Sequence, residues 1–384
     1  MASRIVLNET SYFGAGSVGV IAEEVARRGY RHALLVTDKG LVGVGPVERV
    51  EAVLQKGGIP FTRYTDVKPN PTIENVQQGV AACRAAKADF LIAVGGGSAI
   101  DTAKAIGIVI TNPAFEDIRS LEGLSPTKKP CLPVIAIPTT AGTAAEVTIN
   151  YVVTDVENRR KFVCVDPHDI PVLAIVDAEL MASMPRSLAA ATGMDALTHA
   201  IEGYITRGAW EMSDMFTLKA IELIAANLRG SVLDEAPAAR EKMGLAQYIA
   251  GMGFSNVGLG LVHGMAHPLG AFYDTPHGVA NALLLPTVME FNAPASGEKY
   301  RDIARAMGVS DTEAMSQAQY REAACKAVRQ LALDVGIPQH LAEIGAREAD
   351  LPALANAAYR DVCTPGNPRD VSEAEILALY RKLF

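Results

Sequence analysis

Two patterns of hydrophobic and polar residues divide the chain. In the first half, short apolar runs rich in β-branched residues alternate with stretches of helical periodicity. Helices are predicted over 18–28 and 72–87, and strands over 32–37, 61–64, 90–94, 134–137, 151–154, 162–165 and 172–176. Continuous apolar strands that alternate with helices are typical of a parallel sheet covered on both faces.

The strand pattern ends near Met184-Pro185. Residues 187–384 are rich in Ala, Leu, Met and Glu and have helical periodicity, with breaks at Gly258-Leu-Gly260, Pro276 and Gly366-Asn-Pro368. The sequence therefore predicts an α/β domain with a Rossmann-like parallel sheet over residues 1–183, followed by an all-α domain over residues 184–384.

Composition and charge exclude several classes of protein. Hydrophobic residues make up 49% of the chain and charged residues 20%, which is enough to form a sizeable core. The net charge is −8 without a basic run, so neither a nucleic acid nor an anionic membrane is an expected partner. Without a visible signal peptide or an apolar run of 18 residues, we expect a cytoplasmic protein. Five scattered cysteines without a CxxC pair argue against a disulfide framework and against a thiolate zinc site.

A glycine-rich loop follows the predicted strand 90–94. Gly95-Gly96-Gly97-Ser98 leads directly into the helical stretch that begins at Ala99. Glycines let the backbone approach a phosphate closely, and free N–H groups at a helix N-terminus stabilise a pyrophosphate. The GxGxxG motif of ordinary dinucleotide sites is absent, so a tight turn that binds nothing is the alternative.

Hydroxyl and carboxylate side chains follow two other strands. Thr139, Thr140 and Thr143 come after the strand 134–137, where they could contact phosphate or ribose oxygens or could cap a helix. Asp38 follows the strand 32–37 and could accept hydrogen bonds from the two hydroxyls of an adenine ribose, or could be a turn residue. If a dinucleotide binds here, Asp38 favours NAD over NADP, because its carboxylate would repel a 2′-phosphate.

Five potential metal ligands form two clusters. Asp195 and His199 are four residues apart, His263 and His267 are also four apart, and His277 follows ten residues later. Residues four apart share a helix face, so each pair can converge on one point. Asp and His ligands suit a divalent ion such as Fe(II) or Zn(II). A catalytic ion keeps one position open for substrate, and the spacing only weakly favours His267 as the residue outside the ligand set.

These motifs resemble those of the iron-containing (group III) alcohol dehydrogenases. The resemblance is carried by Gly95–Asp101, by Pro138–Thr143 and by the spacing of Asp195 and the four histidines, and it extends over essentially the whole chain. It implies four iron ligands, namely Asp195, His199, His263 and His277, and it implies His267 as the catalytic residue beside the nicotinamide. It also implies a substrate pocket that includes Phe254 and Cys363, a homodimer, and NAD contacts from Asp38, Asn70, Gly96, Gly97, Ser98, Thr139, Thr140, Thr143, Asn150 and Lys161.

The subgroup most similar to this chain interconverts lactaldehyde and 1,2-propanediol in fucose and rhamnose metabolism. The resemblance therefore implies a small alcohol or aldehyde as substrate, with NAD(H) and Fe(II) as cofactors and Zn(II) as a possible replacement for the iron. Alternatives within the fold are dehydrogenases of glycerol, butanol or another short primary alcohol. A metal-dependent hydrolase would need a general base such as the glutamate of HExxH, which is absent, and would leave the glycine loop unexplained. A non-catalytic metal-binding protein predicts no change in absorbance when NADH and an aldehyde are added.

Overall fold

The computed structural model of the protein describes residues 3–158 and 160–384. The chain forms two compact units, of which the first comprises the described residues up to Thr140 together with Ala144–Met184. The second unit comprises Ala141–Thr143 and Pro185–Phe384. Among the described residues, no helix combines the length and the hydropathy needed to cross a membrane.

The first unit contains a six-stranded parallel sheet with flanking helices. Its helices are α1 (Ile21–Arg28), α2 (Pro46–Lys56), α3 (Ile73–Ala86) and α4 (Gly97–Thr111). Its strands are β1 (Thr10–Phe13), β2 (Ala33–Val36), β3 (Phe61–Tyr64), β4 (Phe90–Gly95), β5 (Gly123–Leu124), β6 (Val134–Pro138), β7 (Asn150–Asp155), β8 (Arg160–Val165) and β9 (Leu173–Val176). The parallel sheet has the order β1-β9-β6-β4-β2-β3.

Both faces of this sheet are covered. In β2, Leu34 and Val36 belong to one hydrophobic core, whereas Ala33 and Leu35 belong to another. Successive side chains of a strand point to opposite faces, so the two cores lie on the two sides of the sheet. The prediction of a covered parallel sheet is confirmed.

Two of the predicted strands do not join this sheet. Strands β7 and β8 pair antiparallel and form a separate three-stranded sheet with β5. Burial alternates along both, with Tyr151 and Val153 of β7 and Phe162 and Cys164 of β8 facing a core. This alternation is typical of a sheet with one covered face, and a prediction based only on apolar runs did not separate it from the fully buried strands.

The second unit is helical, and no strand is found in its described residues. Its helices are α5 (Arg186–Ile205), α6 (Glu211–Val232), α7 (Pro237–Phe254), α8 (Leu261–Tyr273), α9 (His277–Asn292), α10 (Lys299–Ala306), α11 (Gln317–Asp334), α12 (Leu351–Tyr359) and α13 (Glu373–Leu383). Helix α5 is buried on nearly all sides from Ala189 to its C-terminus, although it carries Asp195, His199 and Glu202. Buried polar groups need partners, so these three side chains must be paired with other polar groups or with an ion.

Candidate metal centre

Four potential ligands converge inside the helical unit. Asp195 and His199 lie one turn apart on α5, His263 lies on α8, and His277 is the first residue of α9. Ligand atoms of these four side chains all lie within 4.8 Å of one another. Asp195, His199 and His263 are at most 5% exposed, and His277 is half-buried. One side of the cluster therefore remains accessible.

The distances within the cluster fit a shared ion. Nε2 of His199 lies 3.0 Å from Nε2 of His263, and Nε2 of His277 lies 3.8 Å from Oδ1 of Asp195. Donor atoms about 2.1 Å from a tetrahedral ion are separated by about 3.4 Å, so both distances are near the expected value. An Asp/His₃ donor set of this kind suits Fe(II) or Zn(II).

Burial keeps two histidines of the cluster neutral but disfavours the charge of Asp195. It raises the pKa of Asp195, lowers the pKa of His199, and holds the pKa of His263 well below the ordinary value. Neutral imidazoles have a free lone pair for an ion, whereas a buried carboxylate lacks water to stabilise its charge. A divalent cation would supply that stabilisation, so the residues present fit the metal that the sequence predicted.

Glu202 orients His263, and the sequence analysis missed it. Its Oε2 lies 2.5 Å from Nδ1 of His263, and its carboxylate also accepts the backbone N–H of Val262 at 2.7 Å. Burial raises the pKa of Glu202 to about 8. A carboxylate that accepts Nδ1–H leaves Nε2 of His263 free to bind an ion, an arrangement common around protein metals. Glu202 lies three residues after His199, and that spacing was the available signal.

Asn281 is a second residue that sequence reasoning missed. It lies four residues after His277 on α9 and is fully buried. Its Nδ2 lies 2.7 Å from Oδ1 of Asp195 and 3.1 Å from Nε2 of both His263 and His277. The amide therefore contacts three of the four potential ligands. Its spacing from His277 is the same i, i+4 spacing that revealed the other pairs.

His267 lies outside the group of four. Its Nδ1 lies 2.7 Å from Oδ2 of Asp361, and Oδ1 of Asp361 accepts the backbone N–H of Cys363 at 2.8 Å. His267, Asp361 and Cys363 form a separate cluster. The ring of His267 nevertheless stacks at 5.6 Å between centroids with that of His277, so it borders the metal centre. No sequence pattern indicated Asp361.

The two residues predicted for a substrate pocket also lie in the helical unit. Phe254 is buried and stacks on His199, with ring centroids 4.2 Å apart. Burial beside Asp361 holds the pKa of the Cys363 thiol well above its ordinary value, so that thiol is neutral. Both side chains contribute uncharged surface.

The glycine loop forms a backbone cradle in the first unit. Gly96 precedes α4, and no side chain caps this helix. A Cβ at Gly95 would lie 2.7 Å from Cβ of Ala99, and a Cβ at Gly96 would lie 3.3 Å from Oγ1 of Thr140. The backbone must therefore come close at both positions, which favours glycine and leaves the helix N-terminus open to a phosphate.

The other residues predicted to bind NAD lie partly near this loop and partly in other segments of the chain. Asp38 lies near Gly95, since a Cβ at Gly95 would be 3.9 Å from Oδ2 of Asp38. Nζ of Lys161 donates to Oδ1 of Asn70 at 2.7 Å, and the carbonyl of Asn150 accepts from Nζ of Lys104 at 3.0 Å. Gly97 and Ser98 begin α4, and Thr139 follows β6. Thr143 belongs to the helical unit.

Comparison with known proteins accounts for both halves of the chain. A sequence profile described as iron-containing alcohol dehydrogenase matches residues 8–178, and one described as the C-terminal part of the Fe-containing alcohol dehydrogenase family matches residues 189–384. The chain belongs to the iron-containing alcohol dehydrogenase family. The predicted resemblance is confirmed, and the protein is an oxidoreductase that interconverts alcohols and aldehydes with NAD(H) and a metal ion.

Individual members of the iron-containing alcohol dehydrogenases match over nearly their full length. Lactaldehyde reductase of Escherichia coli (strain K12) is 62% identical over 380 residues, which is 99% of each chain. The 1,3-propanediol dehydrogenase of Klebsiella pneumoniae is 44% identical over 97% of each chain. A crystal structure of 1,3-propanediol oxidoreductase superimposes with a TM-score of 0.97 at 42% identity, covering 100% of both chains.

Proposed function

We propose that this enzyme reversibly interconverts lactaldehyde and 1,2-propanediol, with NAD(H) and Fe(II) as cofactors. The convergence of four ligand side chains within 4.8 Å carries the metal-dependent part of this proposal. The 62% identity with lactaldehyde reductase of E. coli supports the choice of substrate. We also propose that the working form is a homodimer.

Asp195, His199, His263 and His277 are the proposed iron ligands. When bound, the ion supplies Lewis-acid polarisation of the substrate oxygen. Glu202 keeps the ring of His263 in the orientation and tautomer that present Nε2 to the ion. Zn(II) also suits this donor set and generally binds such ligands more tightly than Fe(II), so the experiment below compares the two ions.

NAD(H) supplies or accepts the hydride, and most of its proposed contacts come from the first unit. The open N-terminus of α4, with Gly96, Gly97 and Ser98, holds the pyrophosphate, and Asp38 accepts hydrogen bonds from the adenine ribose. The remaining proposed contacts with the dinucleotide come from Asn70, Thr139, Thr140, Thr143, Asn150 and Lys161.

His267 moves the proton that accompanies the hydride. Because Asp361 accepts Nδ1–H of His267, the second ring nitrogen, Nε2, is the atom that gives up or accepts a proton. Phe254 and the neutral thiol of Cys363 line the substrate pocket and exclude water. A pocket with these uncharged walls suits a small uncharged aldehyde such as lactaldehyde.

A second candidate substrate is the aldehyde that corresponds to 1,3-propanediol. It is favoured by the 44% identity with 1,3-propanediol dehydrogenase and by the TM-score of 0.97 with 1,3-propanediol oxidoreductase. The two aldehydes differ in the position of a hydroxyl group, so their kcat/KM values separate the candidates.

Anaerobic reconstitution tests the proposal. The metal-free protein is loaded with Fe(II) or Zn(II), and the oxidation of NADH is followed with lactaldehyde, 3-hydroxypropanal, glyceraldehyde and butanal. We expect the highest kcat/KM with lactaldehyde in the Fe(II) form. A preference for 3-hydroxypropanal would contradict the proposal that lactaldehyde is the substrate. Activity with Zn(II) alone would contradict the proposal that iron is the metal. Inactivity of both forms with all four aldehydes would contradict the proposed reaction.

A further inference from the structure

We infer that the side-chain amide of Asn281 competes with the metal ion for its ligands and thereby lowers the metal affinity of the site. The inference rests on the ligand set of the proposed function. It concerns Asn281, which lies among the side chains that would hold the ion. The consequence is a site that binds its metal less tightly than its ligands alone would allow.

The geometry places the two amide hydrogens of Asn281 among three acceptors. Nδ2 lies 2.7 Å from Oδ1 of Asp195, 3.1 Å from Nε2 of His263 and 3.1 Å from Nε2 of His277. Asn281 is fully buried, so water does not compete for these contacts. Two hydrogen bonds of ordinary length can form at once, and they hold the ligands together when the metal is absent.

His263 is the ligand for which the competition is clearest. Its Nδ1 is engaged by the carboxylate of Glu202 at 2.5 Å, so Nε2 is the only ring nitrogen left for an ion. An imidazole nitrogen of this kind has one lone pair. That lone pair can accept a hydrogen from Asn281 or bind a cation, but not both.

Metal binding therefore requires the amide hydrogens of Asn281 to move away. A bound cation also repels the positive end of an N–H dipole that points towards it. Oδ1 of Asn281 is buried and has no hydrogen-bond partner among the described residues. Rotation of the amide group exchanges Nδ2 and Oδ1 without moving the backbone and takes the amide hydrogens away from the ligands. Hydrogen bonds that exist only in the metal-free protein stabilise that form and so oppose binding.

If Asn281 instead supported the metal-bound form, its removal would change the metal affinity in the opposite direction. If its amide held the ligands equally well in the metal-bound protein, its removal would weaken metal binding, as the loss of an outer partner usually does. Competition instead predicts tighter binding after removal. A net hydrogen bond of about 1 kcal/mol corresponds to about a fivefold change in affinity, so the loss of one or two bonds gives about 5- to 30-fold.

The test measures the Zn(II) affinity of the full-length protein by competition with a chelator at fixed pH. The variants are Asn281→Ala and Asn281→Leu, of which the second keeps most of the side-chain volume without a donor. We expect the dissociation constant to fall about 5- to 30-fold. Thermal unfolding of the same samples should show a larger loss of Tm in the metal-free form than in the Zn(II)-loaded form.

Two controls separate the inference from the ligand set. Asn112→Ala removes a buried amide of the first unit that bonds to the backbone carbonyls of Ile108 and Lys129, and it should leave the affinity unchanged. His263→Ala should abolish binding, and if it binds Zn(II) like the wild type, the proposed ligand set is wrong. If His263→Ala loses the metal while the Asn281 variants bind equally or more weakly, or lose Tm equally in both forms, only the inference about Asn281 is wrong.

Discussion

Single residues determine what the metal centre can bind. The i, i+4 spacing of Asp195 with His199 was visible in the sequence because a helix brings such residues onto one face. The contacts of Glu202 and Asp361 were not visible, because each partner is supplied by another helix or segment that only the tertiary fold brings near. Sequence reasoning thus found the candidate ligands but not the residues that orient them.

The replacement His267→Ala separates the proposed proton-transfer residue from the ligands. His267 bonds to Asp361 and lies outside the cluster of four, so the variant should keep nearly all of its bound metal. Turnover should fall by about two to four orders of magnitude, which is the usual contribution of a general acid or base. Metal analysis and NADH oxidation on the same preparation measure both effects. A loss of metal as complete as that in His263→Ala would place His267 among the ligands instead.

The replacement Glu202→Gln tests the orientation of His263. A Gln amide cannot accept Nδ1–H and the backbone N–H of Val262 in the same way, so the tautomer with a free Nε2 loses its support. We expect metal affinity to fall about 10- to 100-fold. The matched control is Glu222→Gln on α6, whose exposed carboxylate pairs with nearby Lys219. Equal affinity of the Glu202 variant and wild type would remove Glu202 from the metal centre.

The replacement Asp38→Gly tests the proposed ribose contact. Removal of the carboxylate removes repulsion of a 2′-phosphate, so the ratio of kcat/KM for NADH over NADPH should fall by at least about tenfold. Asp117→Gly provides a control, because the side chain of Asp117 is exposed and pairs with nearby Arg119. An unchanged cofactor preference in the Asp38 variant would show that another residue recognises the ribose.

At the scale of elements, apolar runs predicted most strands of the parallel sheet and the helical character of the second half. They did not predict β1, a short strand at the sheet edge, because its residues are only partly buried and carry a weak pattern. They also did not separate β7 and β8 from the parallel sheet, although these strands are neighbours in sequence and pair as a hairpin, because a run of apolar residues does not specify its pairing partner.

Close packing between α5 and α9 positions ligands from both helices. A Cβ at Gly278 would lie 2.6 Å from the carbonyl oxygen of Ala191 and 3.3 Å from Cβ of Asp195. The replacement Gly278→Ala should therefore displace the start of α9, weaken metal binding at least about tenfold and lower the free energy of unfolding by about 1–3 kcal/mol. Chelator competition and denaturant unfolding measure these changes.

A second alanine variant provides the control for this packing prediction. At Gly19 an added Cβ meets nothing within 4 Å, so Gly19→Ala should change neither metal affinity nor stability by a comparable amount. If Gly278→Ala binds metal like the wild type, the spacing of α5 and α9 does not limit the site.

At the scale of the whole molecule, the change from alternating strands to helices predicted a division after residue 183. The contacts divide the described chain after Met184, with one exception that the pattern did not indicate. Ala141–Thr143 belongs to the helical unit, because Gly142 packs so closely on α5 that an added Cβ would lie 2.7 Å from Cβ of Thr192. A contact of this kind depends on the three-dimensional fold and leaves no local signal.

The metal content of the ligand variants tests the central claim most directly. Wild type and four variants, Asp195→Ala, His199→Ala, His263→Ala and His277→Ala, are loaded with Fe(II) under anaerobic conditions, and iron per chain is measured after gel filtration. The proposed site predicts one ion per wild-type chain, and little or none in each variant that remains folded by circular dichroism. Folded variants that each retain one ion per chain would contradict it.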